Sequence, residues 1–134
     1  MIKTYIKNRL FQSHRPGYPS KTVTLEEVEK WIALLKEKGI KTIICLLSDE
    51  QLRFYDQQQG GLLEIYRKKG FIVIHQPVTD PADDEKGWLE LDEQLVPILE
   101  AYKKTEKPAL IHCSAGVDRS PMAARFIVNR MEKD

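Results

Sequence analysis

Cysteine and histidine are scarce in this chain. There are two cysteines, Cys45 and Cys113, and three histidines, His14, His75 and His112, among 134 residues. Two cysteines are too few for a disulfide scaffold, and the histidines show no metal-ligand spacing, so neither a stapled fold nor a metal site is expected. No apolar run approaches membrane-spanning length. The first twenty residues hold no apolar core of the kind a secretion signal needs, so the expected location is cytoplasmic. Neither sign of charge dominates: 21 Lys and Arg against 20 Asp and Glu leave a net charge of +1. No global field draws the chain to nucleic acid or to an anionic membrane, and a basic site has to be local. Internal repeats and low-complexity stretches are absent.

What is present suits one ordinary globular unit. Hydrophobic residues make up 42%, and at this length that fills one core but not comfortably two, so a single domain over 1–134 is expected. Lys3–Ile6 fits a short edge strand, and Ser13–Ser20, with two prolines and a glycine, fits a loop. A helix is expected over Thr24–Lys38. Thr24 and Glu27 have capping-box spacing, Leu25, Val28, Trp31, Ile32 and Leu35 form its apolar stripe, and Gly39 ends it. Lys41–Leu47 and Phe71–His75 are short β-branched apolar runs that suit buried strands. Between them, a helical stretch capped by Ser48 or Asp49 is interrupted at Gly60–Gly61 and resumes over Leu62–Lys69. Gln76–Lys86 is an acidic, proline-punctuated loop. Trp88–Lys104 reads as a helix that Pro97 should kink or split. Ala109–His112 is a strand and Ser120–Met131 a closing helix. This alternation predicts an α/β fold with a central, mostly parallel sheet flanked by helices on both faces. In such sheets ligands bind beyond the carboxyl ends of the strands, so the segment after the last strand is where chemistry is expected.

That segment reads His-Cys-Ser-Ala-Gly-Val-Asp-Arg-Ser over 112–120. Cys113 follows an apolar strand, and Arg119 stands where a helix begins. The loop between them carries Gly116 and small side chains, so it can curl with its backbone N–H groups turned inward as a nest for an oxyanion. Ser114, Ala115, Gly116, Val117 and Asp118 would supply those amides. The helix N-terminus adds partial positive charge, and the planar fork of Arg119 grips two phosphate oxygens. The same field favours a sulfur anion at Cys113, a good nucleophile toward phosphorus that splits hydrolysis into two steps. The Ser120 hydroxyl, at the end of the loop, can hydrogen-bond the sulfur and help it leave in the second step. His112 is read as orienting the loop through its ring nitrogens. Cys45, inside an apolar strand, is read as a core residue.

The nine residues resemble the signature loop of the cysteine-dependent protein-tyrosine phosphatase superfamily, His-Cys-x-x-Gly-x-x-Arg-Ser/Thr. His112, Cys113, Gly116, Arg119 and Ser120 all match, and the size is similar to the small dual-specificity and atypical members. The resemblance implies a phosphate-binding loop between the last strand and the following helix. It also implies a phosphocysteine intermediate on Cys113, phosphate held by Arg119 and the loop amides, and no metal or other cofactor. A general acid on an upstream loop is implied as well. Asp80 is the candidate: it follows the strand Phe71–His75, ends a Pro77-x-x-Asp80 stretch similar to the family's, and lies 33 residues before Cys113. Asp83 and Asp84 are read as solvating the loop. Asp118 resembles the acid before the signature arginine in myotubularin-like lipid phosphatases, and its carboxylate is expected to point outward, because aimed at a dianion it would repel it. Arg15 stands in a Ser-x-Arg-Pro segment similar to the entry segment of some atypical members, which implies positive charge near the substrate, but it is read first as part of a structural turn.

The expected partner is a phosphorylated protein, with phosphotyrosine first and phosphoserine or phosphothreonine second. Neither nucleic acid nor a membrane span is expected, and the oligomeric state stays open. A phosphoinositide substrate is the alternative among enzymes, although the loop carries no lysine. A phosphoprotein-binding module without turnover is the alternative outside them. A thiol redox enzyme would need resolving cysteines near the loop, and only Cys45 is available.

Overall fold

The computed structural model describes residues 1–58 and 60–131. It begins with a hairpin. Strand β1 (Lys3–Ile6) pairs antiparallel with β2 (Leu10–Ser13), across a turn in which Asn8 takes a φ of 60°. Asn tolerates this left-handed geometry better than most residues. The sequence reading contains no β2 and places Ser13 in a loop. A four-residue strand with two apolar side chains is too short to reveal itself by periodicity.

Helix α1 (Leu25–Glu37) starts from the expected capping box. The Thr24 hydroxyl accepts from the Glu27 amide at 3.2 Å, and the Glu27 carboxylate accepts from the Thr24 amide at 3.3 Å. Val28, Trp31, Ile32 and Leu35 are buried, whereas Leu25 of the expected stripe is exposed in the first turn. Strand β3 (Thr42–Cys45) leads into the short helix α2 (Asp49–Leu52), capped by Ser48 and continued by a 3₁₀ turn over Arg53–Tyr55. Helix α3 (Gly61–Lys68) and strand β4 (Ile72–His75) follow. Helix α4 (Lys86–Lys104) runs through Pro97 as one helix, so of the expected kink or split the split does not occur. Pro97 and Glu93 are both on the solvent side, so the carbonyl that loses its helical donor can bond water instead. Strand β5 (Ala109–His112) and helix α5 (Arg119–Met131) close the chain.

The strands form one sheet in the order β1-β2-β5-β3-β4, parallel except for the first pair. Alternation along the strands divides the core. Phe11, Ile43, Cys45, Leu47 and Leu110 face α1 and α3. Leu10, Ile44, Leu46, Ala109 and Ile111 face α4 and α5. A parallel strand covered on both faces has to be apolar throughout. Central strand β5 points its carboxyl end into the segment 113–118, with β2 on one side and β3 on the other. No helix among the described residues is long and apolar enough to cross a membrane.

Candidate active site

Cys113 is 2% exposed and lies at the floor of the loop that joins β5 to α5. Its Sγ is 3.0 Å from the Ser120 Oγ and receives the Ser120 backbone N–H at 3.4 Å. Both groups lie in the first turn of α5, so the sulfur meets the positive end of a helix and a hydroxyl together. Gly116 takes a φ of 76°, and a Cβ there would stand 2.7 Å from the His14 backbone nitrogen. Only glycine suits both the curl and the close packing.

Arg119 is 1% exposed, and its guanidinium is held along one edge. Nη1 donates to Val78 O at 2.8 Å, to Gln51 Oε1 at 2.9 Å and to Leu46 O at 3.2 Å. Nη2 donates to Asp80 Oδ2 at 3.0 Å. Nε and the second Nη2 hydrogen carry no hydrogen bond among the described residues. Those two groups form the side-on fork, which is the geometry that takes two oxygens of one phosphate.

Asp80 is thus bound to Arg119, at the end of the loop that begins with Cys113. Its Oδ2 also accepts from Gln51 Nε2 at 2.9 Å, and its Oδ1 accepts from the Ala82 amide at 3.0 Å. Asp83 and Asp84 are exposed. The Asp84 carboxylate accepts from the Lys86 amide at the start of α4. Asp118 is half-buried, and its carbonyl accepts from the Met122 amide at 3.3 Å. Its carboxylate makes no hydrogen bond or ion pair among the described residues. Ser114 is buried, Ala115 half-buried, and Val117 is 69% exposed on the rim.

Behind the loop, His112 is fully buried on the α1/α3 face. Its Nδ1 is 3.1 Å from Cys113 O and its Nε2 is 3.0 Å from the Tyr66 hydroxyl. A carbonyl only accepts, so Nδ1 carries the proton and Nε2 accepts from Tyr66. Burial pulls His112 down to about 4, partly countered by the bond to Cys113. Burial pushes Tyr66 well above its ordinary range, so it keeps its proton. The two cysteines lie in clusters on opposite faces of the sheet, and burial pushes the Cys45 thiol up to about 12. This arrangement fits the core reading of Cys45 and opposes a disulfide to Cys113.

Two glutamines of this site escape sequence reasoning, and a third residue, Arg15, does more than form a turn. Gln51 bridges Arg119 and Asp80 while also completing the capping box of α2. Gln12 sends Nε2 to Ser120 Oγ at 2.9 Å and to Gly116 O at 3.1 Å. Arg15, read as part of a turn, is 1% exposed. It donates from Nε to Ser114 Oγ at 3.0 Å and stacks over the Phe54 ring at 4.6 Å. The only sequence signal for the two glutamines is polar character beside apolar runs, which surface residues share, whereas Arg15 has its Ser-x-Arg-Pro segment. Among the described residues no group of His, Cys, Asp and Glu could hold a metal ion.

Comparison with known proteins adds three findings. A family model described as cyclin-dependent kinase inhibitor 3 (CDKN3) matches residues 9–132. A curated relative, cyclin-dependent kinase inhibitor 3 of Mus musculus, is 32% identical over 115 residues, covering 84% of this chain and 51% of that protein. The chain thus spans about half the length of this relative. The crystal structure of a DUF442 protein from Shewanella putrefaciens CN-32 superposes with a TM-score of 0.60 at 15% identity, over 99% of this chain and 73% of that one, and is similar in fold.

Proposed function

Because the chain belongs to the cyclin-dependent kinase inhibitor 3 family, of the dual-specificity phosphatase type, we propose that it hydrolyses phosphate monoesters through a phosphocysteine on Cys113. The observation that carries this reading is a sulfur on a helix N-terminus, 3.0 Å from a serine hydroxyl, beside an arginine whose side-on fork is unengaged. In the first step Cys113 Sγ, as the thiolate, attacks phosphorus. The bond to the leaving oxygen breaks, and Asp80, acting as its carboxylic acid, gives that oxygen its proton. In the second step water attacks phosphorus and passes a proton to the Asp80 carboxylate. The P–S bond breaks and its electron pair returns to Sγ, stabilised by the Ser120 hydroxyl. Arg119 and the amides of residues 114–119 hold the phosphoryl oxygens throughout.

The substrate class follows from depth and charge. A sulfur only 2% exposed favours a phosphate on a long side chain, so phosphotyrosine in a protein comes first and phosphoserine or phosphothreonine second. Asp49, Glu50, Asp83 and Asp84 line a depression together with Asp80. This acidic rim disfavours a head group with several phosphates. The test is hydrolysis of p-nitrophenyl phosphate and of a phosphotyrosine peptide without added metal. Turnover by the native protein and none by Cys113→Ser is expected. Turnover by both would remove Cys113 from the nucleophile role. Tight phosphopeptide binding with turnover by neither would favour a binding module.

A further inference from the structure

Gln12 occupies a place where a strand facing the core should be apolar. It lies on β2 two residues after Leu10, so it points to the α4/α5 face that also holds Cys113, Ala123 and Ala124. It is 1% exposed. Its Nε2 donates to Ser120 Oγ at 2.9 Å and to Gly116 O at 3.1 Å, and its Oε1 is buried without a partner among the described residues. The orientation is fixed, because Gly116 O only accepts and must face the amide nitrogen. An orphaned buried acceptor destabilises a fold, so stability alone does not explain a glutamine here.

The Ser120 hydroxyl has three neighbours besides its own backbone. Gln12 Nε2 donates to it, Cys113 Sγ is 3.0 Å away, and Ser13 O is 3.3 Å away. With a lone pair occupied by Gln12, the oxygen is anchored and its single hydrogen has two acceptors to choose from. A thiol lets the Cys113 S–H point at Oγ while the Ser120 hydrogen goes to Ser13 O. A thiolate takes the hydrogen itself. Resting on the phosphatase reading above, we infer that Gln12 is a positioning residue for the second chemical step. It holds Ser120 Oγ so that its hydrogen meets the sulfur as the P–S bond breaks and the electron pair returns to Sγ. The attack of Sγ on substrate, in which the sulfur gives up its charge, does not need that bond.

The experiment is pre-steady-state and steady-state hydrolysis of p-nitrophenyl phosphate by the native protein, Gln12→Met, Ser120→Ala and the double variant. Gln12→Met should lower kcat about tenfold, the scale of one lost hydrogen bond. It should leave kcat/KM within about twofold, because that ratio reports the steps up to the phosphoenzyme. A burst of p-nitrophenol should rise toward one per site. The thermal midpoint should change little, since the unpartnered Oε1 goes together with the donor to Gly116 O, and the double variant should match Ser120→Ala alone. Gln12→Asn, which withdraws the donor by one methylene, should show the same split. Turnover by the native protein with no burst in either Gln12 variant, or full additivity with Ser120→Ala, would overturn this inference alone. Failure of both variants to fold would assign Gln12 a purely structural role and overturn it too. Absence of turnover by the native protein would overturn the phosphatase reading, and this inference with it.

Discussion

Arg119 uses its guanidinium in two directions. The end formed by Nη1 and Nη2 is fixed by Val78 O, Gln51 Oε1 and Asp80 Oδ2, while the Nε side is left toward the loop. A lysine keeps the charge but has no second edge, so Arg119→Lys should lower kcat/KM for p-nitrophenyl phosphate about a hundredfold, as lost charge-assisted bonds imply. A variant within a fewfold of native would remove the fork from the argument. Asp80 accepts from the same Nη2 that belongs to the side-on fork, and in the proposed reaction it is the acid for the leaving oxygen. Asp80→Asn should slow phenyl phosphate by about 10²–10⁴-fold and p-nitrophenyl phosphate much less, because a good leaving group needs little proton donation. Comparing the two esters checks this. A steeper leaving-group dependence in Asp83→Asn or Asp118→Asn would move the acid there. Asp80 is legible in sequence because it follows a strand, whereas Gln51 is not, since a capping-box glutamine looks the same whether or not an arginine lies behind it.

At the scale of elements, the site depends on two close approaches. The loop 113–118 rests on the end of β2 through Gly116. Gly116→Ala would set a Cβ 2.7 Å from His14 N in a left-handed conformation. It should cost about 1–3 kcal/mol and weaken inorganic phosphate binding, measurable by thermal-shift titration. An unchanged phosphate affinity would show that the curl tolerates a side chain. Helix α4 rests on the loop carrying Asp80 through Gly87, where a Cβ would meet Thr79 O and lie 2.8 Å from Pro81 N. The same contact is tied by Glu90, whose carboxylate accepts from the Thr79 amide and hydroxyl and is thereby held below its ordinary value. Strand β2, which unlike β1 is not expected from the sequence, supplies Gln12 and Ser13 to the loop, with Arg15 two residues beyond its end. Both strands are four residues long, and the pairing of β2 with β5 sets the conformation of β2 more than its own propensity does.

For the whole molecule, the buried His112 links stability to acidity. Its folded value of about 4 lies below the ordinary 6.5 because burial disfavours the charged ring. The unfolded chain therefore binds a proton that the folded chain refuses between these values. Stability from this group is full above about pH 6.5, falls as pH drops toward 4, and levels off below that, for a total on the order of 3 kcal/mol. Denaturant unfolding across this window should show a slope that shrinks in His112→Gln. An equal slope in both would mean that His112 takes up its proton in the folded state at ordinary pH.

The sequence by itself determined the loop 113–118 and the sheet that presents it. Nine contiguous residues after an apolar strand carry Cys113, Arg119 and Ser120, and local chain geometry brings contiguous residues together. Alternating apolar strands and capped helices likewise required an α/β sheet covered on both faces. Only the tertiary structure decided what surrounds that loop. Gln12 and Ser120 are 108 residues apart, Arg15 and Ser114 are 99 apart, and Gln51 and Arg119 are 68 apart. Such contacts form because β5 lies centrally between β2 and β3, which brings the ends of three strands to one place. A polar residue at the end of a short strand acquires its partner from strand order, and strand order is a property of the packed sheet.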